Sequence, residues 1–209
     1  MNAILSEASA EKISAESISE RIIGDRQFLD PVFQLISSGP PGDKFRCSKA
    51  LLLLSESNPR LLYSRIQDIV NLLESKNQIL KWNAIAILGN MASEDCKSVL
   101  EGTLQKLYAF LSCGELITAN HAIAALGKIG RVFPEKKKNI ITRLLKVEGY
   151  TFDTDECRNI AVGKVILALE QLIDFSKANE KAAEFARRNV GNGRPSTAKK
   201  AQGFLRRFA

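Results

Sequence analysis

Residues 80–92 read Leu-Lys-Trp-Asn-Ala-Ile-Ala-Ile-Leu-Gly-Asn-Met-Ala, and residues 118–130 read Thr-Ala-Asn-His-Ala-Ile-Ala-Ala-Leu-Gly-Lys-Ile-Gly. The two stretches align without a gap at a spacing of 38, sharing Ala84 with Ala122, Ile85 with Ile123, Leu88 with Leu126 and Gly89 with Gly127. Self-similarity at such a spacing signals an array of small units, none of which can bury its apolar face alone. Weaker copies flank the pair. Phe45-Arg46 leads into Ala50 and Leu54-Ser55, and Cys157-Arg158 leads to Ala161 and Val165. A second alignment of that fourth copy, with residues 165–169 on 84–88, stays open. Thr197-Ala198, Ala201 and Leu205 form a degenerate last copy.

Each copy follows a second helical stretch. In 61–74 the apolar residues Leu62, Ile66, Ile69, Val70 and Leu73 fall on one helix face. Residues 99–111 do the same with Leu100, Leu104, Leu107 and Leu111, and 140–147 with Ile140, Ile141, Leu144 and Leu145. Asp30-Pro31 and Asn58-Pro59 each place an N-cap type before a proline at the first helical position. Asp153 with Glu156 has capping-box spacing, and Gly39, Gly114, Gly149 and Gly191 sit where left-handed C-caps end helices. No stretch alternates long enough to argue a strand. About ten helices in pairs are expected, preceded by a helix within residues 2–23.

The helix pair, repeated every 34–43 residues, resembles the HEAT repeat of armadillo-like α-solenoids. The second helix carries the resemblance, in Leu80-Lys81-x-x-Ala84 with Leu88-Gly89-x-Met91-Ala92, and in Ala122 with Leu126-Gly127-x-Ile129-Gly130. The family's basic residue is matched by Lys81, Arg46 and Arg158, but positions 119 and 198 are alanine. The resemblance implies an all-α, right-handed α-solenoid of about five stacked antiparallel helix pairs with an extra N-terminal helix. Residues 1–25 read from their charge as an acidic helical segment, and the resemblance implies an array over 26–209, with repeats near 26–57, 58–94, 95–133, 134–174 and 175–209. Alanines at 84, 86, 122, 124 and 125 allow helices to approach closely. Gly89 and Gly127 each cost about 1 kcal/mol against Ala in a helix interior, a cost offset if a neighbouring helix packs on the bare backbone.

Composition narrows the function. The 209 residues hold one His, one Trp and four Cys, with 45% apolar residues and a net charge of +7. A single His removes mechanisms built on histidine pairs. Cys47, Cys96, Cys113 and Cys157 have no zinc spacing. The N-terminal residues lack the basic and apolar regions of a signal peptide, so reduced thiols and a cytoplasmic location are expected. No apolar run is long enough to span a bilayer. No Walker-type loop, dinucleotide fingerprint, nucleophile elbow or calcium loop is present, so neither a cofactor, a metal nor catalysis is expected. The charge is uneven: residues 1–25 carry a net −3 and residues 176–209 a net +7.

The resemblance places the second helices on a concave side, where a protein or peptide partner would bind. Trp82, Ala86 and Asn90 share a face away from Leu80, Ala84, Ile87, Leu88 and Met91. Its position predicts an exposed Trp82; packing at the edge of the core is the competing reading. Asn120, Ala124 and Lys128 are the equivalents one repeat later, and Lys49, Asn83 and His121 form a polar row beside them. These give the partner-binding candidates Lys49, Trp82, Asn83, Asn90, Asn120, His121 and Lys128. A second basic set, Arg187, Arg188, Arg194, Lys199, Lys200, Arg206 and Arg207, has Phe204 and Phe208 interleaved. It reads either as a polar cap closing the array or as an anion-binding edge. Lys136, Lys137 and Lys138 open a helix after Pro134-Glu135, against the helix dipole. A scaffold for a protein or peptide is the first functional expectation. The alternative is a nucleic-acid binder similar to helical-repeat DNA glycosylases, though no aromatic and carboxylate set of theirs maps here.

Overall fold

The structure is a computed structural model that describes residues 13–94, 97–175 and 179–207. The described residues form eleven α-helices and no strand: α1 Ala15–Gly24, α2 Leu29–Ser38, α3 Pro41–Ser57, α4 Ile66–Asn71, α5 Gln78–Asn90, α6 Lys97–Phe110, α7 Leu116–Val132, α8 Pro134–Leu144, α9 Asp155–Leu172, α10 Glu180–Arg188 and α11 Pro195–Leu205. After α1 they run as five pairs, each a first helix followed by the second helix recognised in the sequence. The chain divides into two compact units, Met1–Gly102 and Thr103–Ala209.

In the first unit α1 packs on α3, α3 on α5, and α2 on α3. In the second, α7 packs on α9, α9 on α11, α8 on α7 and α9, and α10 on α11. Each unit therefore has a seam of second helices, with first helices packed against it. Helix α1 joins that seam as a second helix would, through Ile18 and Ile22, both fully buried at i, i+4. Its start is fixed by Ser14, whose hydroxyl accepts from the Ser17 amide at 3.2 Å. The part of the expected N-terminal helix in residues 2–12 lies outside the described residues.

The apolar stripes bury as their periods require. Leu80, Ala84, Ile87, Leu88 and Met91 are at most 4% exposed, and so is Ile85 on the other side of α5. A second helix has neighbours on more than one side, which a single stripe does not reveal. Leu100, Leu104, Leu107 and Leu111 bury in α6 and the turn after it, and Ile140, Ile141 and Leu144 in α8.

Several local expectations are corrected. Residues 59–74 are not one α-helix. A 3₁₀ segment Pro59–Arg65 precedes α4, and another, Leu72–Glu74, follows it. The break falls at Arg65, whose φ of −117° and ψ of 17° leave the helical region. Its guanidinium bridges Asp30 and Asp68 and lies 4.5 Å over the Phe33 ring. Leu62, Ile66, Ile69 and Leu73 still face inward, because a short apolar stripe tolerates either helical period. Asp30 does not cap α2, which begins at Leu29; it is held by Arg65 instead. Asn58 precedes Pro59 but makes no side-chain cap. Thr154, not Asp153, caps α9, its hydroxyl accepting from the Cys157 amide at 3.1 Å. Of the four glycines expected in left-handed caps only Gly114 has positive φ, at 83°; Gly39 ends α2 in extended backbone, with ψ of 171°.

Candidate partner-binding face

In the first unit the face is carried by α3 and α5. Lys49 is exposed on α3. Trp82, for which exposure and packing at the core edge were both open, is half-buried, as are Asn83 and Asn90 on α5. The two asparagines reach across the seam. Asn83 Nδ2 donates to Ser48 Oγ at 3.0 Å, and Asn90 Nδ2 donates to Ser55 Oγ at 2.8 Å. Each bond spans 35 positions, so one repeat register carries both. Ser48 and Ser55 are 1% exposed, and their hydroxyls in turn donate to the carbonyls of Phe45 and Leu52. Buried hydroxyls need such partners. The asparagines are thus partly committed to the fold.

In the second unit the face is carried by α7, α9 and α11. Asn120 and His121 are half-buried on α7, while Lys128 is exposed. Asn120 Oδ1 is shielded from solvent and accepts no hydrogen bond. Burial, aided by the charge of Lys164, pushes the His121 pKa down from its ordinary 6.5, which favours the neutral imidazole. Lys164 stands exposed on α9 and was missed by the sequence reading. The signal was present: the open alignment of 165–169 on 84–88 places Lys164 in the slot of Asn83 and His121. The proximity of Lys164 to His121 favours that register. The last copy, aligned through Thr197-Ala198, places Lys200 in the same slot, and Lys164 and Arg194 help burial push its pKa down.

The close approach of α9 and α11 rests on Gly163. A Cβ there would fall 2.6 Å from Thr197 Oγ1 and 3.4 Å from Lys200 Nζ. Thr197 is fully buried and its hydroxyl donates to the Asn159 carbonyl at 2.8 Å. The Lys200 ammonium therefore lies over bare backbone, close to Lys164. Neither lysine forms an ion pair among the described residues. At Gly127 a Cβ would meet the Ala168 Cβ at 3.3 Å, the close approach that its place in α7 required.

The C-terminal basic set divides. Arg187 pairs with Glu180, Arg188 with Glu148 and Arg194 with Glu156. The last two pairs join positions about one repeat apart. Arg207 lies 4.2 Å over the Phe175 ring, and Phe175 meets Phe204 edge-on at 5.3 Å. Phe204 and Ala201 are fully buried; Phe208 lies outside the described residues. Much of this set therefore braces its own unit. Lys199 and Arg206 stay exposed. The described cysteines, Cys47, Cys113 and Cys157, are free thiols, and burial pushes the Cys47 pKa up to about 12, away from reactivity. No group of three or more His, Cys, Asp or Glu among the described residues could hold a metal ion.

No family model matches the chain, and no curated protein matches it. Solved structures do. A designed armadillo repeat protein in complex with the peptide (KR)4 superposes with a TM-score of 0.67 at 16% identity, covering 99% of this chain and 90% of that one. The fold is armadillo-like. A second designed armadillo repeat protein aligns with a TM-score of 0.64 at 19% identity, over 99% of this chain and 90% of that chain. The armadillo-repeats-only protein of Plasmodium falciparum aligns at 0.58 and 14% identity, over 96% of this chain and 100% of that one. Such identities speak for the armadillo-like architecture alone. No helix among the described residues is long and apolar enough to cross a membrane.

Proposed function

We propose that the chain is a non-catalytic, cytoplasmic repeat scaffold that holds a protein or peptide partner on the faces of its second helices. One observation carries the reading: Lys164 and Lys200 stand close together on α9 and α11 and form no ion pair among the described residues, with Glu170 offsetting only part of the charge around Lys200. Like charges held together and only partly offset favour an anionic ligand, which points to carboxylates on the partner. Trp82, half-buried on α5, supplies the kind of aromatic surface that anchors interfaces. One of the similar designed proteins is in complex with the peptide (KR)4, which supports a peptide as the class of partner. The free thiols support a reducing compartment.

A nucleic-acid backbone is the weaker reading, because Arg187, Arg188 and Arg194 are each engaged by a glutamate. The test is binding of acidic peptides to the intact chain. Lys164→Glu with Lys200→Glu should weaken capture at least tenfold with an unchanged melting curve, and Trp82→Ala should weaken partners that reach the first unit. Capture indifferent to all three substitutions would sink the proposal. Retention of duplex DNA at low salt with a steep salt dependence would favour the weaker reading.

A further inference from the structure

The three lysines that open α8 are left unexplained by the packing of the second helices. An open groove of about 450 Å³ runs between α8 and the start of α10 in the second unit. Both are first helices, so the groove is separate from the face described above. Its floor is apolar: Pro134, Ile141 and Leu145, with Ile141 only 9% exposed. Its rim is cationic: Lys137 and Lys138 from α8 and Lys181 from α10. None of the three forms an ion pair among the described residues, and no carboxylate is among the residues that line the groove. The other polar side chains, Asn179 and Thr142, are neutral. Asn179 uses its Oδ1 to cap α10, accepting from the Ala182 amide at 3.2 Å, which leaves its amide NH₂ to the groove. Thr142 spends its hydroxyl proton on the Lys138 carbonyl at 2.9 Å.

A groove lined by three lysines, no carboxylate and an apolar surface is complementary to carboxylates flanking an apolar side chain. We propose that this groove docks an acidic peptide segment of a partner protein, its apolar side chain seated on Pro134, Ile141 and Leu145 and its carboxylates on Lys137, Lys138 and Lys181. The volume suits a few side chains. A lipid surface fits less well, because Ile141 is buried and an interfacial helix needs a broad exposed apolar face.

The test is selection of displayed random peptides on the full chain, followed by titration of the recovered peptides. The expected peptides carry Asp or Glu on both sides of Leu, Ile or Phe. Lys137→Glu with Lys138→Glu should weaken them at least tenfold, Lys181→Glu likewise, and the glutamine versions about threefold, all with unchanged melting curves. Arg60→Glu with Lys76→Glu, both exposed in the first unit, makes the same charge change elsewhere and should leave affinity within twofold. Equal loss in both double variants would reduce the effect to net charge and overturn the proposal. So would a selection yielding no peptide sensitive to the groove variants, or peptides that keep their affinity when the apolar residue becomes serine. Phosphatidylserine vesicles that bind in place of peptides, and are lost with Lys137→Glu and Lys138→Glu, would assign the groove to a lipid surface and overturn it too.

Discussion

Between α3 and α5, Asn83 and Asn90 reach across to Ser48 and Ser55; between α9 and α11, the contact is Gly163 against Thr197 and Lys200. The first seam is joined by side-chain hydrogen bonds. The second sets bare backbone against Thr197, whose hydroxyl bonds the Asn159 backbone carbonyl, and its slot residues are left as cations. One repeat position holds Asn83 in the first unit, where it meets the Ser48 hydroxyl, and His121, Lys164 and Lys200 in the second. The difference teaches that a repeat slot has two uses. Where the neighbouring slot supplies a hydroxyl, the residue is consumed by the fold. Where the neighbouring slot supplies another cation, the charge is left for a ligand.

The comparison can be broken first at the core. Leu88→Ala and Leu126→Ala occupy matching sites, each fully buried, and should each cost about 2–5 kcal/mol in chemical denaturation. Costs of similar size would confine the difference between the units to their seams; a loss confined to one of them would extend it to the core.

Gly163→Ala should cost about 1–3 kcal/mol, because the new methyl must displace Thr197 from its bond to Asn159. An unchanged midpoint would show that the second seam is looser than its geometry.

Asn83→Ala or Asn90→Ala should cost about 0.5–1.5 kcal/mol each. A double-mutant cycle of Asn83 with Ser48 checks whether the bond itself is responsible, and a coupling near zero would remove the hydrogen-bonded seam from the comparison.

The smallest effect is pH-dependent. The His121 pKa is lowered in the fold by burial and Lys164, so the unfolded chain binds that proton more readily. Stability from this site is therefore full above the unfolded pKa of about 6.5 and falls as pH drops through it toward the folded value. His121→Gln should flatten that part of the stability profile, and a profile identical to the parent would contradict the burial of the imidazole.

The seams explain which parts of the molecule were legible beforehand. Residues 80–92 and 118–130 declared their helices, and every residue of the stripe Leu80, Ala84, Ile87, Leu88 and Met91 is buried, because a fixed 3.6-residue period maps spacing directly onto direction. Residues 59–74 gave four inward residues correctly, left Val70 only half-buried, and gave the wrong helix type. The break at Arg65 depends on Asp30, 35 positions away, and a local period carries no information about such a partner. Lys164 was overlooked because its slot depends on register, and the fourth copy offered two.

What the sequence determined by itself is the repeat, its helix pairs and the apolar stripes, since these follow from local period and composition. It also located the basic C-terminal excess. Only the tertiary structure decided what that charge does. Arg187, Arg188 and Arg194 found glutamates, while Lys137, Lys138, Lys164, Lys181 and Lys200 did not form ion pairs among the described residues. Whether a charge is spent or left available depends on which helices meet and at what distance, and in these seams that distance is set by a glycine or a serine on the facing helix.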